Sequence, residues 1–238
     1  MKKITFLFIL IFVFIQIENS HAQFLKNAKK LVEQKSGGFT EKDAADGIKE
    51  ALNNGTAKSV SFLSKPDGYF KNLEVKIPFP QDAKEIESKL RAVGMGKQVD
   101  EAVLSINRAA EDAANEAKPI FLAAIKGMTV KDAINIVKGE NDAATKYLNR
   151  TTSPELNAKF QPIIKASLDK VQATKYWTDL IKAYNKIPLV KKMNPDLTGY
   201  VTQKAIDGLF VMIAKEELNI RKDPMARTSE ILKKVFGK

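Results

Sequence analysis

Apolar residues recur at helical spacing along most of this chain. Ala44, Ile48, Ala51 and Leu52 mark one face of a helix that starts at Thr40. Thr40 with Asp43 three residues on makes a capping box, the shorter Asp standing for Glu. Gly55 predicts the end of that helix. GTAKSVSFLS is then expected as a second short helix, although the alternation of Val60 and Phe62 also fits a strand. DAKEIESKLRAVG reads as a helix ending at Gly94, and residues 97–126 read as one long helix. Thr129, with Asp132 at the box position, caps VKDAINIVKG. Asn141 or Asp142 begins DAATKYLNR. Thr152-Ser153-Pro154-Glu155 has the form of a fresh helix start, with a hydroxyl cap, proline in the first turn and Glu at the third position. Leu156, Phe160, Ile163, Ile164, Leu168 and Val171 follow, and Pro162 predicts a kink or a division. Tyr176, Trp177, Leu180, Ile181 and Tyr184 continue an apolar face. Residues 185–199 form a loop long enough to suggest a functional or mobile segment. Residues 199–221 read as a helix, and Asp223-Pro224 opens the last one.

The exception is KPDGYFKNLEVKIPFP, residues 65–80. Asp67-Gly68 signals a turn. Leu73, Val75, Ile77 and Phe79 alternate with polar residues, but Pro78 and Pro80 confine any strand to an edge. The predicted class is therefore all-α: a multi-helix bundle with a long central helix and at most a small β-hairpin or extended arm near residues 65–80. Residues 39–238 are expected to form a single helical domain.

The N-terminus departs from the helical pattern. Lys2 and Lys3 precede an apolar run from Ile4 to Ile17, and Ser20-His21-Ala22 offers small residues for cleavage. That layout predicts a secretory signal peptide, residues 1–22, and an exported periplasmic or envelope protein beginning near Gln23. The apolar run is 14 residues, short of the roughly 20 needed to span a bilayer. Residues 23–38 are a basic segment and linker ending in Gly37-Gly38.

Removing the signal removes His21, the one histidine, and the chain has no cysteine. Thiol nucleophiles, disulfides, Ser-His-Asp triads, the usual zinc sites and haem ligation by His are excluded from the processed chain. No Asp-rich calcium loop is present. No cofactor or metal is expected. Carboxylates, Tyr, Lys or a Ser/Lys pair are the remaining catalytic options.

Charge adds a surface property. The chain carries 39 Lys+Arg against 28 Asp+Glu, a net charge of +11. Without residues 1–22 the balance is 37 minus 27, or +10. A basic protein is drawn to anionic surfaces. Only five of the 39 cations are Arg, and the lysines are scattered, so no nucleic acid is expected as partner.

Polar residues on apolar faces are the candidate sites. On a wheel of the 97–126 helix, Ala102, Ala109, Ala110, Ala113, Ala114, Ala117 and Ala124 join Val99, Val103, Ile106, Ile120 and Phe121 on a broad face that permits close packing. Arg108, Asp112 and Glu116 lie opposite, with Arg108 and Asp112 as an i, i+4 surface pair. Asn107, Glu111 and Lys118 fall between, beside Leu104, Leu122 and Ile125, which predicts a half-buried seam with Lys118 or an Arg answering Glu111. In YVTQKAIDGLFVMIAKEELNIRKDP, Glu217 sits among Ile206, Phe210, Ile213 and Ile220, with Arg221 one turn on. Asp207 lies nearer the edge, and Arg227 follows the Pro224 turn. An internal ion-pair network and a ligand or catalytic cleft both fit this pattern.

NRAAEDAANEAKPIFLAAIKGM, MTVKDAINIVKG, GENDAATKYL and DGLFVMIAKEELNIRKDPMARTSEILKKVFG, with KPDGYFKNLEVKIPFP before them, resemble the bacterial domain-of-unknown-function family 4197. The resemblance runs from about Phe39 to Gly237. It implies an exported or lipid-anchored, mainly helical protein with no assigned activity, and this chain lacks the cysteine of lipid-anchored members. Polar positions in the matching strings are Asn107, Arg108, Glu111, Asp132, Thr145, Tyr147, Glu217, Arg221 and Arg227. The resulting expectation is an exported protein that binds or scaffolds an envelope component, another protein or an anionic surface. The alternatives are a hydrolase of envelope glycans using Glu111 and Glu217, and a carrier of lipid or another apolar ligand.

Overall fold

The computed structural model describes residues 38–80, 83–92, 94, 96–170, 173–185, 192 and 196–237. Its helices are α1 (Glu41–Leu63), α2 (Lys84–Ala92), α3 (Gly96–Ala114), α4 (Ala117–Gly127), α5 (Val130–Val137), α6 (Ala143–Lys170), α7 (Ala173–Tyr184), α8 (Leu197–Lys222) and α9 (Glu230–Phe236). A 3-10 turn, Pro224–Ala226, links α8 to α9. No strand occurs among the described residues, and the class is all-α. Residues 1–22, where a signal peptide is expected, residues 23–37 and most of the loop after Tyr184 lie outside the described residues.

Local signals set several helix ends. Both capping boxes form: Thr40 accepts from the Asp43 amide, and Thr129 accepts from the Asp132 amide. Asp196 caps α8 through the Gly199 amide, and Ser229 caps α9. Each side-chain oxygen satisfies an amide that the helix itself leaves unpaired.

Elsewhere packing overrides local signals. Gly55 does not end α1, which runs on to Leu63. Gly55 is buried against α8, where a Cβ would make an ordinary contact 3.5 Å from the Glu216 Cβ, so packing carries the helix through it. The Thr152-to-Glu155 string does not start a helix either. The Thr152 and Ser153 hydroxyls donate back to the carbonyls of Leu148 and Asn149, four residues earlier, and α6 continues through Pro154 and Pro162. Leu148, Leu156, Phe160, Ile164 and Leu168 are all fully buried along it. Their burial, at about 1.5–3 kcal/mol per large apolar side chain, outweighs the roughly 3 kcal/mol cost of a proline in a helix.

The expected helix over 97–126 is instead two helices. Asn115 and Glu116 separate α3 from α4, and tighter bonds, Glu116 N–H to Ala113 and Lys118 N–H to Asn115, cross the break. Pro119 has no N–H for the Asn115 carbonyl and suits the first turn of a new helix. The long central element is α6, packed most extensively on α8 and then on α3. Ala109, Ala110, Ala113, Ala114 and Ala117 are fully buried, as the alanine face requires.

Residues 64–80 form turns followed by an extended arm. Val75, Ile77 and Phe79 point into the core while Lys76 and Pro78 stay outside it. From Val75 to Phe79 the alternation is that of a strand, but Leu73, expected in the same set, is 90% exposed, and the arm lies on helices. Phe79 meets the Trp177 ring edge-on at 5.0 Å. Gly208 of α8 makes room for the arm: a Cβ there would come within 2.7 Å of Tyr69 Cε1 and 3.3 Å of Val75 Cβ.

Gly208→Ala is therefore expected to destabilise the protein by about 1–3 kcal/mol, despite the better helix propensity of Ala. Gly127→Ala, where a Cβ meets nothing within 4 Å, should be neutral or stabilising. Thermal melting of both variants checks this, and equal melting temperatures would remove the close-approach role of Gly208.

Candidate functional site

Asn107 and Glu111 stand one turn apart on α3, and both are buried. They hold the arm. The Asn107 side-chain oxygen accepts from the Ile77 N–H at 2.9 Å, and its amide group donates to the Ile77 carbonyl at 2.8 Å. One side chain thus pairs with both backbone groups of Ile77, as a neighbouring strand would. Its second donor reaches the Val103 carbonyl at 2.8 Å. Glu111 Oε1 accepts from the Tyr69 and Phe70 N–H groups, each at 3.1 Å. Its other oxygen accepts from Arg108 Nη1 at 2.5 Å.

Arg108 bridges from Glu111 to Asp67, 2.7 Å from Nη2, and lies over the Phe70 ring. Asp67 adopts φ +72°, the left-handed region that Asp tolerates, and so turns the chain into Gly68. Lys71 and Arg108 hold the Asp67 carboxyl below its usual range. Tyr69 is fully buried and donates from its hydroxyl to the Ala205 carbonyl at 2.7 Å. Burial, then Glu111, pushes its phenol far up.

Two expectations need correcting. Lys118 does not answer Glu111: the break before α4 rotates it out, and it is exposed. Arg108 does, instead of pairing with Asp112, which accepts from Ser167.

The second network ties three helix ends. Glu217, buried on α8, accepts from the Ala144 and Thr145 N–H groups at 2.9 and 2.8 Å. It also accepts from the Thr145 hydroxyl at 2.8 Å. These amides are in the first turn of α6, so a distant carboxylate caps that helix and meets its positive end. Arg221 binds Glu217 at 2.8 Å and reaches the Ile136 carbonyl near the end of α5. Arg227, also buried, donates to the Ile220 and Arg221 carbonyls at the end of α8. Cations at helix C-termini complement the dipole there.

The remaining candidates stand apart. Asp132 serves the α5 capping box, which lowers its carboxyl. Tyr147 is half-buried under Arg150, and burial raises its phenol. Asp207 is exposed and pairs with Gln203 and Lys204.

This arrangement bears on chemistry. Both oxygens of Glu111 and both of Glu217 are occupied by backbone amides, a hydroxyl or an arginine. Neither is a free acid facing solvent, so the paired-carboxylate geometry of a glycosidase is not built from them. The crevice beside Glu217 and Arg221 measures about 20 Å³, room for a single water rather than an acyl chain. Among the described residues no group of acidic side chains converges to hold a metal.

The open surfaces carry features that periodicity did not single out. Two clefts flank the arm: one of about 680 Å³ between α1, the arm and α8, and one of about 550 Å³ across the arm toward Tyr200. On α4, Lys118, Leu122 and Lys126 recur every four residues, all exposed, and Val130 and Lys131 extend the stripe. Lys49 joins it, its amine 3.4 Å from the Lys126 carbonyl. Lys118 and Lys126 have no carboxylate partner among the described residues, and Lys131 lies within electrostatic reach of Asp132. The four-residue spacing was present in the sequence, but the outward direction depends on the break at Asn115.

Glu217→Ala is expected to cost roughly 3–5 kcal/mol, because it strands Arg221, whose side chain is 11% exposed, and uncaps α6. Asp207→Ala on the same helix should change stability by less than about 0.5 kcal/mol. Denaturant unfolding of the two variants separates them, and a Glu217→Ala protein as stable as the parent would refute the structural role.

No curated protein and no solved structure matches this chain. A family model described as protein of unknown function (DUF4197) matches residues 38–237. The arm, the two buried networks and the flanking clefts all lie within that span, and the chain belongs to the DUF4197 family.

Proposed function

We propose that this is an exported, non-enzymatic binding protein of the cell envelope, which docks on anionic surfaces through the lysine stripe of α4 and α5. The observation that carries this reading is the contrast between buried and exposed polar groups. The buried carboxylates and arginines are consumed in holding the fold, whereas Lys49, Lys118, Lys126 and Lys131 project with Leu122 and Val130 beside them. Leu122 and Val130 are 47% and 45% exposed. The N-terminal pattern of residues 1–22 supports delivery to the envelope. No described helix is long and apolar enough to cross a membrane.

Magnitudes describe the kind of binding. A lysine near an anionic lipid surface contributes about 1 kcal/mol, so four supply about 4 kcal/mol, a roughly millimolar affinity. Leu122 and Val130 add apolar burial at the headgroup boundary. The contact is reversible and weakened by salt.

Processing is expected to leave Gln23 as the first residue of protein recovered from its host, as N-terminal sequencing reads directly. Retention of Met1 would overturn cleavage. The protein should co-sediment with vesicles containing phosphatidylglycerol and not with pure phosphatidylcholine. Lys118→Glu with Lys126→Glu should abolish that binding while leaving the melting temperature unchanged. Binding that ignores lipid charge, or survives the double substitution, would sink the proposal.

A further inference from the structure

A different face carries a second inference. Leu73, at the apex of the arm, is 90% exposed, and Phe62 at the end of α1 is 47% exposed. Both border the 680 Å³ cleft, and Met212 of α8 lines it as well. The apex is not a loose tip. The Asn72 carbonyl accepts from the Val75 and Lys76 N–H groups at 3.1 and 2.8 Å, and its side chain accepts from the Glu74 N–H at 3.1 Å. Glu111 fixes Tyr69 and Phe70 just before it. A large apolar side chain is thus presented on a preorganised support, which lowers the ordering cost of docking.

The charges around this cleft differ from those elsewhere. Lys58, Lys71 and Lys215 alternate with Asp67, Glu74 and Glu216. They form ion pairs Lys58–Glu216, Lys71–Asp67 and Lys215–Glu74, at 2.7–2.8 Å. Three cations against three anions make the rim neutral on a chain of net charge +11. Two copies repel over most of their surface but not here. A rim of both signs is also complementary to itself, and its three lysines are the more exposed members of their pairs.

We infer that this face is a self-association surface: two copies meet about a two-fold axis, and Leu73 of each enters the cleft beside Phe62 and Met212 of the other. A projecting side chain and a receiving cleft within one patch give an isologous, closed pair rather than a filament. An acidic or basic partner would meet no net opposite charge on this rim, whereas a second copy brings a rim of the same neutral, mixed character.

Sedimentation velocity on protein expressed from its full-length sequence tests this. The parent is expected to sediment at twice the mass of one chain and Leu73→Asp at the mass of one. Met225→Asp, which replaces an apolar residue that is 87% exposed elsewhere, should remain paired. Leu73 contributes little to the core, so Leu73→Asp should melt like the parent. The absence of cysteine allows an independent measurement. Leu73→Cys chains mixed with Phe62→Cys chains should form a mixed disulfide on mild oxidation, and Met225→Cys chains mixed with Phe62→Cys chains should not. A parent monomeric up to its solubility limit, a Leu73→Asp protein that stays paired, equal loss with Met225→Asp, or no mixed disulfide would each overturn the inference. A monomer that instead holds a different protein in this cleft would overturn it too.

Discussion

Backbone groups buried without a helix or strand partner must find side-chain partners, and this fold depends on how that is done. The arm at residues 69–77 lies against helices, whose backbone N–H and carbonyl groups are engaged in their own ladders and do not pair with the backbone of the arm. An unpaired buried amide costs about 1–3 kcal/mol, so the arm docks only because α3 presents Asn107 and Glu111. Asn107 pairs with both sides of Ile77, and Glu111 takes two successive N–H groups. The same constraint recurs at the first turn of α6, where Glu217 supplies the acceptor that no local residue provides. Burying those two carboxylates in turn requires cations, and Arg108 and Arg221 meet that need with forked contacts that a lysine could not make.

Close approach makes these reaches possible. The alanines of α3 let helices pack without large side chains between them, and glycines act similarly where α1 meets Val235 of α9, at Gly47, and where α8 meets Tyr69, at Gly208. A larger residue at Gly208 would separate Tyr69 from the Ala205 carbonyl and lift the arm from the bundle. Packing and polar satisfaction are therefore coupled: the hydrogen bonds hold only at the spacing that the small residues allow.

Use of the acidic and arginine side chains inside the fold shapes the outside. Three of the five arginines, Arg108, Arg221 and Arg227, serve internal contacts, and the positive exterior is left to lysine. That exterior is not uniform. On α4, Lys118 and Lys126 stand without carboxylate partners among the described residues, whereas around the arm the lysines alternate with acids in a neutral rim. One surface suits an anionic layer and the other suits a surface like itself, and both depend on where α3 ends and where the arm turns.

Much of the architecture was legible before the tertiary structure. Capping boxes at Thr40 and Thr129, the alanine face, the alternating arm and the placing of Asn107, Glu111, Glu217 and Arg221 on apolar faces all follow from residue type and local period. The absence of cysteine, and of histidine beyond residue 21, is likewise a property of the sequence alone. What local period could not show was which distant group each polar residue meets. Asn107 answers Ile77 30 positions away, and Glu217 answers Thr145 72 positions away. Nor could it show that α1 passes Gly55 and that α6 passes two prolines. Burial of whole apolar faces outweighs single-residue signals there, whereas at Asn115 the missing N–H of Pro119 coincides with a break although the apolar face is buried on both sides of it. The chain itself determined which side chains needed partners. Only the packed structure decided the partners, because hydrogen-bonding groups far apart in sequence meet only once the helices that carry them are docked.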